Sequence, residues 1–499
     1  MTAHQKAAGA DPESLRAEVE SFLASCRRPA AIEPGLEPLP VEPECLRLSD
    51  SRGGVLLEVW NHDRTLARRL IGVKARQGGR LELIAERLGG KTSPFRLVDL
   101  DDGRAVPSLV KAGREVLLDQ LDKWLARQFT GWRVETLTTG ADLEHSLSPA
   151  YPRALVAKGT RRWAVVASPP DAAHGDKALT HGLIWLDYLR LRGNAGPIEG
   201  LALFMGRGTA TNTLLRLRAL NPRAARWRVF EYDAEGRETE VDVADSGNLI
   251  GELAVWAASA RDGESTAARW ARQLECLEGV EAVECGGGER SLRVRGVEFA
   301  RLHGDGLMVG IDIKRRARGV AEGSRLAAEL AEKRIHGAVT HHRYQSRQPE
   351  RWLESVVRAN PRLLCAGLEL EPIYGQVTAT AGTDRGLVDL LAIDTSGRLT
   401  AIELKAAEDP HLPLQALDYW ARLSWHAARG GFSANGYFPG RTVLNDPPRL
   451  FLVAPAFRFH STVDRILAYF SPEVEVARIG LGVEWQRNPR VVLSSGILR

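Results

Sequence analysis

The chain has 499 residues, too many for one hydrophobic core, so about three or four folded units are expected. Its 44% hydrophobic and 26% charged content excludes a disordered or fibrous chain, and a formal net charge of +4 permits an anionic partner without demanding one. Five cysteines (Cys26, Cys45, Cys276, Cys285, Cys365) with no C-x-x-C spacing argue against a disulfide framework or a zinc site, and no apolar run reaches the length of a membrane span.

The first 20 residues are polar and charged and carry no leader pattern, so a reducing cytoplasm is the expected setting. A helix is expected over 12–27 and a Pro-rich extended linker over 29–43. Period-2 runs over 54–60, 79–84 and 95–100 predict a small β-rich domain. From residue 107 the pattern changes: Val116, Leu117, Leu121, Trp124 and Leu125 stand at helical spacing. Strands are expected at 153–157 and 163–168, then a helix over 178–191, a strand over 200–205, a helix over 211–219 and a strand over 226–232. A connecting region holds a helix over 258–277, a hairpin around His303 to Gly306, a basic run from Lys314 to Arg318, and a further helix. The last third repeats the earlier order: helix 349–359, strands 387–394 and 399–405, helix 412–428, strand 449–454, helix 461–470 and strand 474–479.

That shared order points to an internal duplication. Residues 162–168 stand where 399–405 stand, and Leu186-Asp187-Tyr188 where Leu417-Asp418-Tyr419 stand.

The stretch from Gly386 to Lys405 carries the chemistry. It reads as two strands with Ser396-Gly397 in the turn between them. Asp389 lies on the first strand. Glu403 and Lys405 lie two apart on the second, so both leave one face, while Ile402 and Leu404 point to the other. An acid and a lysine on an otherwise apolar strand are costly to bury unless paired or bound to a metal. Two carboxylates on adjacent strands suit a magnesium (or manganese) ion, and Lys405 suits a developing phosphate charge. The expected reaction is hydrolysis of a phosphodiester.

With these residues in view, the chain resembles the PD-(D/E)xK nuclease superfamily, nearest its mismatch-specific endonuclease and RecB-like branches. Arg351-Trp-Leu-Glu354 with Asn360-Pro361 resembles the opening helix, Gly386-Leu-Val-Asp389 the first-strand motif, and Glu403-Leu-Lys405 the E-x-K element. Gln415 and Tyr419 resemble the Q-x-x-x-Y signature and share one helical face. The resemblance covers roughly 349–455; Val388 replaces the usual proline before the first acid. It implies metal ligands at Glu354, Asp389 and Glu403, a catalytic Lys405, and support from Gln415 and Tyr419. It implies DNA as partner, no membrane, and leaves a homodimer open.

Other features are set against blander readings. Gly310-Ile-Asp-Ile-Lys314 mimics an acid-x-Lys strand, with Asp305 ahead of it, but no Q-x-x-x-Y helix follows. The basic run reads as a solvated face, with nucleic-acid contact as the alternative. His341-His342 lacks helical metal spacing. Trp352, Trp420 and Trp425 read as core or core-edge residues.

In the first repeat Glu403 corresponds to Val166, Lys405 to Ser168 and Gln415 to Ile184, with Asp389 falling near Pro152. The expected fold class is therefore α/β: two restriction-endonuclease-like αβ units, the first degenerate, with a small N-terminal β-rich domain. The expected boundaries are 1–50, 51–106, 107–250, 251–345 and 346–499. The leading function is a metal-dependent DNA endonuclease with one catalytic centre. The alternatives are a nucleic-acid-binding or scaffold protein with an unused site, and a nuclease acting on RNA.

Overall fold

The computed structural model describes residues 11–32, 39–51, 54–60, 65–77, 79–86, 92–102, 107–193, 196–245, 250–253, 255–256, 265–285, 288–312, 314–334, 348–381 and 384–496. Among them the protein is mixed α/β, with four sheets and ten α-helices. It divides into two compact units, 1–210 with 227–241, and 211–226 with 242–499.

The chain opens with α1 (Pro12–Ser25), capped by the Asp11 carboxylate accepting from Ser14 N–H at 3.3 Å. Strands β1 (Pro29–Ile32), β2 (Leu39–Pro40), β3 (Leu46–Ser51), β4 (Gly54–Trp60), β5 (Thr65–Gln77), β6 (Arg80–Glu86) and β7 (Thr92–Asp99) form one sheet, ordered β2-β1-β7-β6-β5-β4-β3. Leu15, Val19 and Phe22 of α1 pack into its core with Val55, Leu57, Leu70, Leu83 and Phe95. The Pro-rich segment is thus not a free linker: where described, it supplies β1 and β2. Proline lacks an N–H and is tolerated at a sheet edge or at the first residue of a strand: Pro40 lies on the edge strand β2, and Pro29 opens β1 opposite Asp99 of β7.

Next come α2 (Pro107–Gln128), β8 (Arg133–Thr138), β9 (Arg153–Lys158), β10 (Arg161–Ala167), α3 (Ala172–Leu191), β11 (Ile198–Gly206), α4 (Thr211–Arg218), β12 (Arg226–Tyr232) and β13 (Glu238–Val241). The six strands form a sheet in the order β13-β12-β11-β10-β9-β8. Strand β10 is antiparallel to β9 and parallel to β11, with α3 making the crossover. Trp124, Trp163, Phe204 and Phe230 fill the core on one face.

Strand β14 (Ile250–Leu253), α5 (Thr266–Glu275), β15 (Val280–Cys285), β16 (Glu289–Val294), β17 (Val297–His303), β18 (Gly306–Val309), β19 (Arg315–Arg316) and α6 (Ala321–Lys333) follow. A five-stranded sheet, β15-β16-β17-β18-β19, contains the hairpin expected around His303. The helix expected over 258–277 is described from Thr266. His341-His342 lies outside the described residues.

The last elements are α7 (Pro349–Ala359), β20 (Tyr374–Ala381), β21 (Asp384–Ile393), β22 (Leu399–Leu404), α8 (Leu412–Ala427), α9 (Gly431–Ala434), β23 (Arg449–Pro455), α10 (Val463–Leu467), β24 (Val476–Leu481) and β25 (Val491–Gly496). Their sheet runs β14-β20-β21-β22-β23-β24-β25, with β22, β23 and β24 parallel.

Strands β20 to β25 thus repeat the order of β8 to β13, with α8 in the place of α3 and α10 in the place of α4. The segments after α4 and α10 meet reciprocally. Asn221 N–H donates to the Tyr469 carbonyl at 2.8 Å, and Ser471 N–H donates to the Ala219 carbonyl at 2.9 Å. Among the described residues no helix is long and apolar enough to cross a membrane.

Candidate active site

Strands β21 and β22 form the expected hairpin, with Leu390 opposite Ile402 and Ile393 opposite Leu399. Every residue of β22 is buried, since β23 flanks it on its far edge and α8 packs near it. This explains why the strand reads apolar and makes its one charged side chain, Glu403, expensive; Lys405 follows directly after the strand and is partly exposed.

Glu403 is 2% exposed, and its Oε2 has no hydrogen-bond partner among the described residues. Burial first, then the charge of Asp389, pushes the Glu403 carboxyl well above its usual range. Continuing the hairpin register sets Asp389 opposite Glu403. Leu404 N–H donates to Asp389 Oδ2 at 2.8 Å. Burial outweighs that bond and the nearby Lys405, and the Asp389 carboxyl is pushed up to about 7. Two adjacent carboxylates, one buried and one partly buried, cannot both ionise cheaply without a cation.

Lys405 sits at the exposed end of the pair. Its Nζ lies 4.0 Å from Glu403 Oε1, 3.9 Å from Glu350 Oε1 and 4.0 Å from Asp409 Oδ2. Burial opposes its charge, but Glu403, Glu350, Asp409 and Asp389 together hold its ammonium above the ordinary lysine value. On α8, Gln415 Nε2 donates to the Tyr419 hydroxyl at 3.3 Å. Burial, then the charge of Glu403, raises the Tyr419 phenol, which places the ring beside the carboxylates.

The neighbouring Asp418 anchors α8. Arg216 of α4 donates to it twice, at 2.8 Å from Nε and 2.6 Å from Nη2, and both side chains are buried. The structure therefore brings Asp389, Glu403, Lys405, Gln415 and Tyr419 into one place.

Glu354 is placed differently from the rest. It is 3% exposed and held by three arginines: Arg351 at 2.9 Å, Arg358 at 3.1 Å and Arg293 at 3.2 Å. Burial alone would raise its carboxyl, but Arg293, Arg358 and Arg351 hold it below its usual range. Its charge is already compensated. One turn earlier on α7, Glu350 is half-exposed and faces Lys405. Sequence reasoning passed over Glu350. The four-residue spacing from Glu354 puts both on one face of α7, and that spacing was the available signal.

Across the first αβ unit the positions matching Glu403, Lys405 and Gln415 are apolar or neutral. The β9–β10 register pairs Val166 with Arg153, so Arg153 rather than Pro152 stands where Asp389 stands. Arg153 is buried and donates to the Ser148 and Gly140 carbonyls. The acid-x-Lys decoy also resolves: Asp312 is exposed, while Lys314 turns to Glu298.

Among the described residues no three His, Cys, Asp or Glu side chains form a ready-made metal centre. The all-oxygen donors, the orphaned Glu403 oxygen and the raised Asp389 and Glu403 nevertheless fit a hard cation such as magnesium or manganese. The chain matches no protein-family model and no curated protein.

Proposed function

We propose that the chain is a divalent-metal-dependent phosphodiesterase acting on DNA, with one catalytic centre at Asp389, Glu403 and Lys405. The observation that carries this reading is a carboxylate pair beside a lysine, Glu403 fully buried with an orphaned oxygen and Asp389 partly buried. Such a pair is a stability liability unless a cation joins it. Asp389 and Glu403 would hold magnesium or manganese, with Glu350 as the α7 carboxylate available to it. Glu354 would serve only if its arginines let go. When bound, such an ion polarises a phosphoryl oxygen and acidifies a water.

The chain's own residues supply the rest. Lys405 presents a fixed positive charge to the phosphate and hydrogen-bonds a water at the mouth of the site. Tyr419, held by Gln415, would stand near the Glu403 carboxylate on the α8 side. Asp389 is held in place by the Leu404 N–H. The two repeated αβ units are read as restriction-endonuclease-like, the first without ligands, and the protein as cytoplasmic.

The test is a cleavage screen over linear, mismatched, branched and single-stranded DNA and over RNA, with magnesium or manganese. Glu403→Gln and Lys405→Ala are each expected to abolish hydrolysis of whichever substrate the native chain cuts. Full activity in both variants sinks the assignment. Cleavage confined to RNA would move the substrate class and leave the centre standing.

A further inference from the structure

A cavity of about 210 Å³ lies between the five-stranded sheet and the head of α7. Its walls include Arg293 from β16, Glu298 and Arg301 from β17, Lys314, Gln348 at the start of α7 and Arg351 within α7. Four cations thus face one carboxylate, and that carboxylate is already engaged. Glu298 accepts from Arg301 at 2.6 Å and from the Ser291 hydroxyl, and pairs with Lys314.

Arg301 also reaches Glu289 at 2.7 Å, and Arg351 and Arg293 reach Glu354, so the four cations share three carboxylates. Burial first, then the charge of Arg293, holds the Lys314 ammonium below its ordinary value. Arg293 is 5% exposed, gives Nε to Ser291 Oγ at 2.9 Å and Nη1 to Glu354 at 3.2 Å. Its Nη2 meets no acceptor among the described residues. The walls are braced by the fully buried Arg334, which donates to the Arg295 carbonyl at 2.9 Å and the Gln348 carbonyl at 3.2 Å. A braced, cation-lined cavity with an unused guanidinium nitrogen is built for a phosphate group.

We propose that this cavity is a phosphate-binding subsite for the backbone of a nucleic acid, separate from the Asp389–Glu403 centre. The cations do not end at its rim. Arg315, Arg316 and Arg318 continue from Lys314, and all three are exposed, two of them on the edge strand β19. Exposed cations next along the chain from the cavity's own Lys314 suit a polymer with a phosphate at every step, whereas a free phosphate uses the cavity alone. Arg293 and Arg351 contact both the cavity and Glu354, so a phosphate seated here draws on the groups that neutralise the α7 carboxylate.

The test uses the full chain with a short fluorescent DNA duplex in EDTA, and reads anisotropy across a salt series. Lys314→Met is expected to weaken binding about 5–10-fold and to lower the salt slope by about one. Lys314→Met leaves Glu298 its Arg301 and Ser291 partners. The exposed double variant Arg315→Ser/Arg316→Ser, which disturbs no core residue, is expected to lower the slope by about two. Native affinity and slope in both variants overturn the proposal. Inorganic phosphate is added as competitor and is expected to displace the duplex only at millimolar levels. Displacement at micromolar phosphate, with the double variant unaffected, overturns the backbone assignment. No divalent ion and no cleavage enter the measurement, so this result and the hydrolytic reading fail independently.

Discussion

The two repeated αβ units run through the same strand order but place charge in their centres in opposite ways. In the first, Val166 and Ser168 stand where Glu403 and Lys405 stand, the helix carries Ile184, and the position matching Asp389 carries Arg153. That guanidinium has two carbonyl acceptors and lies over the Trp185 ring at 5.5 Å. In the second, Asp389, Glu403, Glu350 and Asp409 surround one lysine, and a buried oxygen of Glu403 has no donor. Burying an unpaired charge costs several kcal/mol by general estimates. The first unit shows that the fold forms without that cost. Its presence in the second unit is therefore not demanded by folding, and a site that binds a cation is the simplest reason for it.

The sharpest way to break this comparison is to write the first unit's residues into the second. Glu403→Val with Lys405→Ser is expected to lower hydrolysis by about a thousandfold or more. It is also expected to raise thermal stability in EDTA at pH 8, because the buried charge is gone. Cleavage assays and melting curves on the same preparation read both. Retained cleavage would mean that the chemistry resides elsewhere in the chain.

Proton binding gives the next largest effect. Asp389 moves from an ordinary 3.8 to about 7. Between those values the folded chain holds a proton that the unfolded chain has released, so stability falls as pH rises through the window and is lowest above it. Asp389→Asn removes this slope and is expected to leave the metal-free chain roughly 2–4 kcal/mol more stable than native at pH 8. Magnesium or manganese should recover much of the difference in the native chain and little in the variant. Parallel pH profiles of native and variant melting would remove Asp389 from the account.

Part of this arrangement was legible in the residues. Strand β22 announced itself as an apolar run interrupted by Glu403 and followed two residues on by Lys405, and α8 as a periodic helix carrying Gln415 and Tyr419. Both signals are local, so they survive without tertiary information. Strands β5, β8, β20 and β25 passed unread. β5 mixes four arginine and lysine residues into its 13 positions, and β25 is largely exposed, so neither alternates cleanly. The Pro-rich stretch read as a linker because composition cannot see β7, the strand it pairs with. Helix α10 is five residues long, shorter than its apolar pattern, because the chain leaves it to make the Leu220–Phe470 bridge. The capture of Glu354 was only half legible. Arg351 and Arg358 lie three and four residues away on α7, but Arg293 arrives from a strand 61 residues earlier.

The hairpin turns sharpen the comparison at a smaller scale. Gly397, between β21 and β22, has φ +92°, and a Cβ there would lie 2.2 Å from the Thr442 carbonyl oxygen. Gly159, between β9 and β10, has φ +61° and open space around it. Gly159→Ala meets only the left-handed backbone penalty, about 1 kcal/mol, whereas Gly397→Ala adds a clash with backbone and is expected to cost about 3 kcal/mol. Denaturant titration separates the two. Equal losses would show that the loop around Thr442 yields freely, and that the active hairpin is no more tightly held than its counterpart.

The smallest effect concerns the one site residue the two units share. Tyr188 and Tyr419 occupy matching helix positions, and both are buried. Tyr188 is a packing residue: its ring stacks on Trp185 at 5.4 Å and lies under Arg192 at 4.7 Å, and its hydroxyl has no hydrogen-bond partner among the described residues. The Tyr419 hydroxyl accepts from Gln415 and stands beside Glu403. Removing one neutral hydrogen bond of this kind is worth about 1 kcal/mol, or roughly fivefold in rate where the bond holds a reacting group. Tyr419→Phe is therefore expected to lower kcat about fivefold with Tm nearly unchanged, and Tyr188→Phe to leave both unchanged. Equal rate losses in the two variants would mean that the hydroxyl acts through the fold common to both units. A loss confined to Tyr419→Phe would place its action on Glu403, which only the second unit possesses.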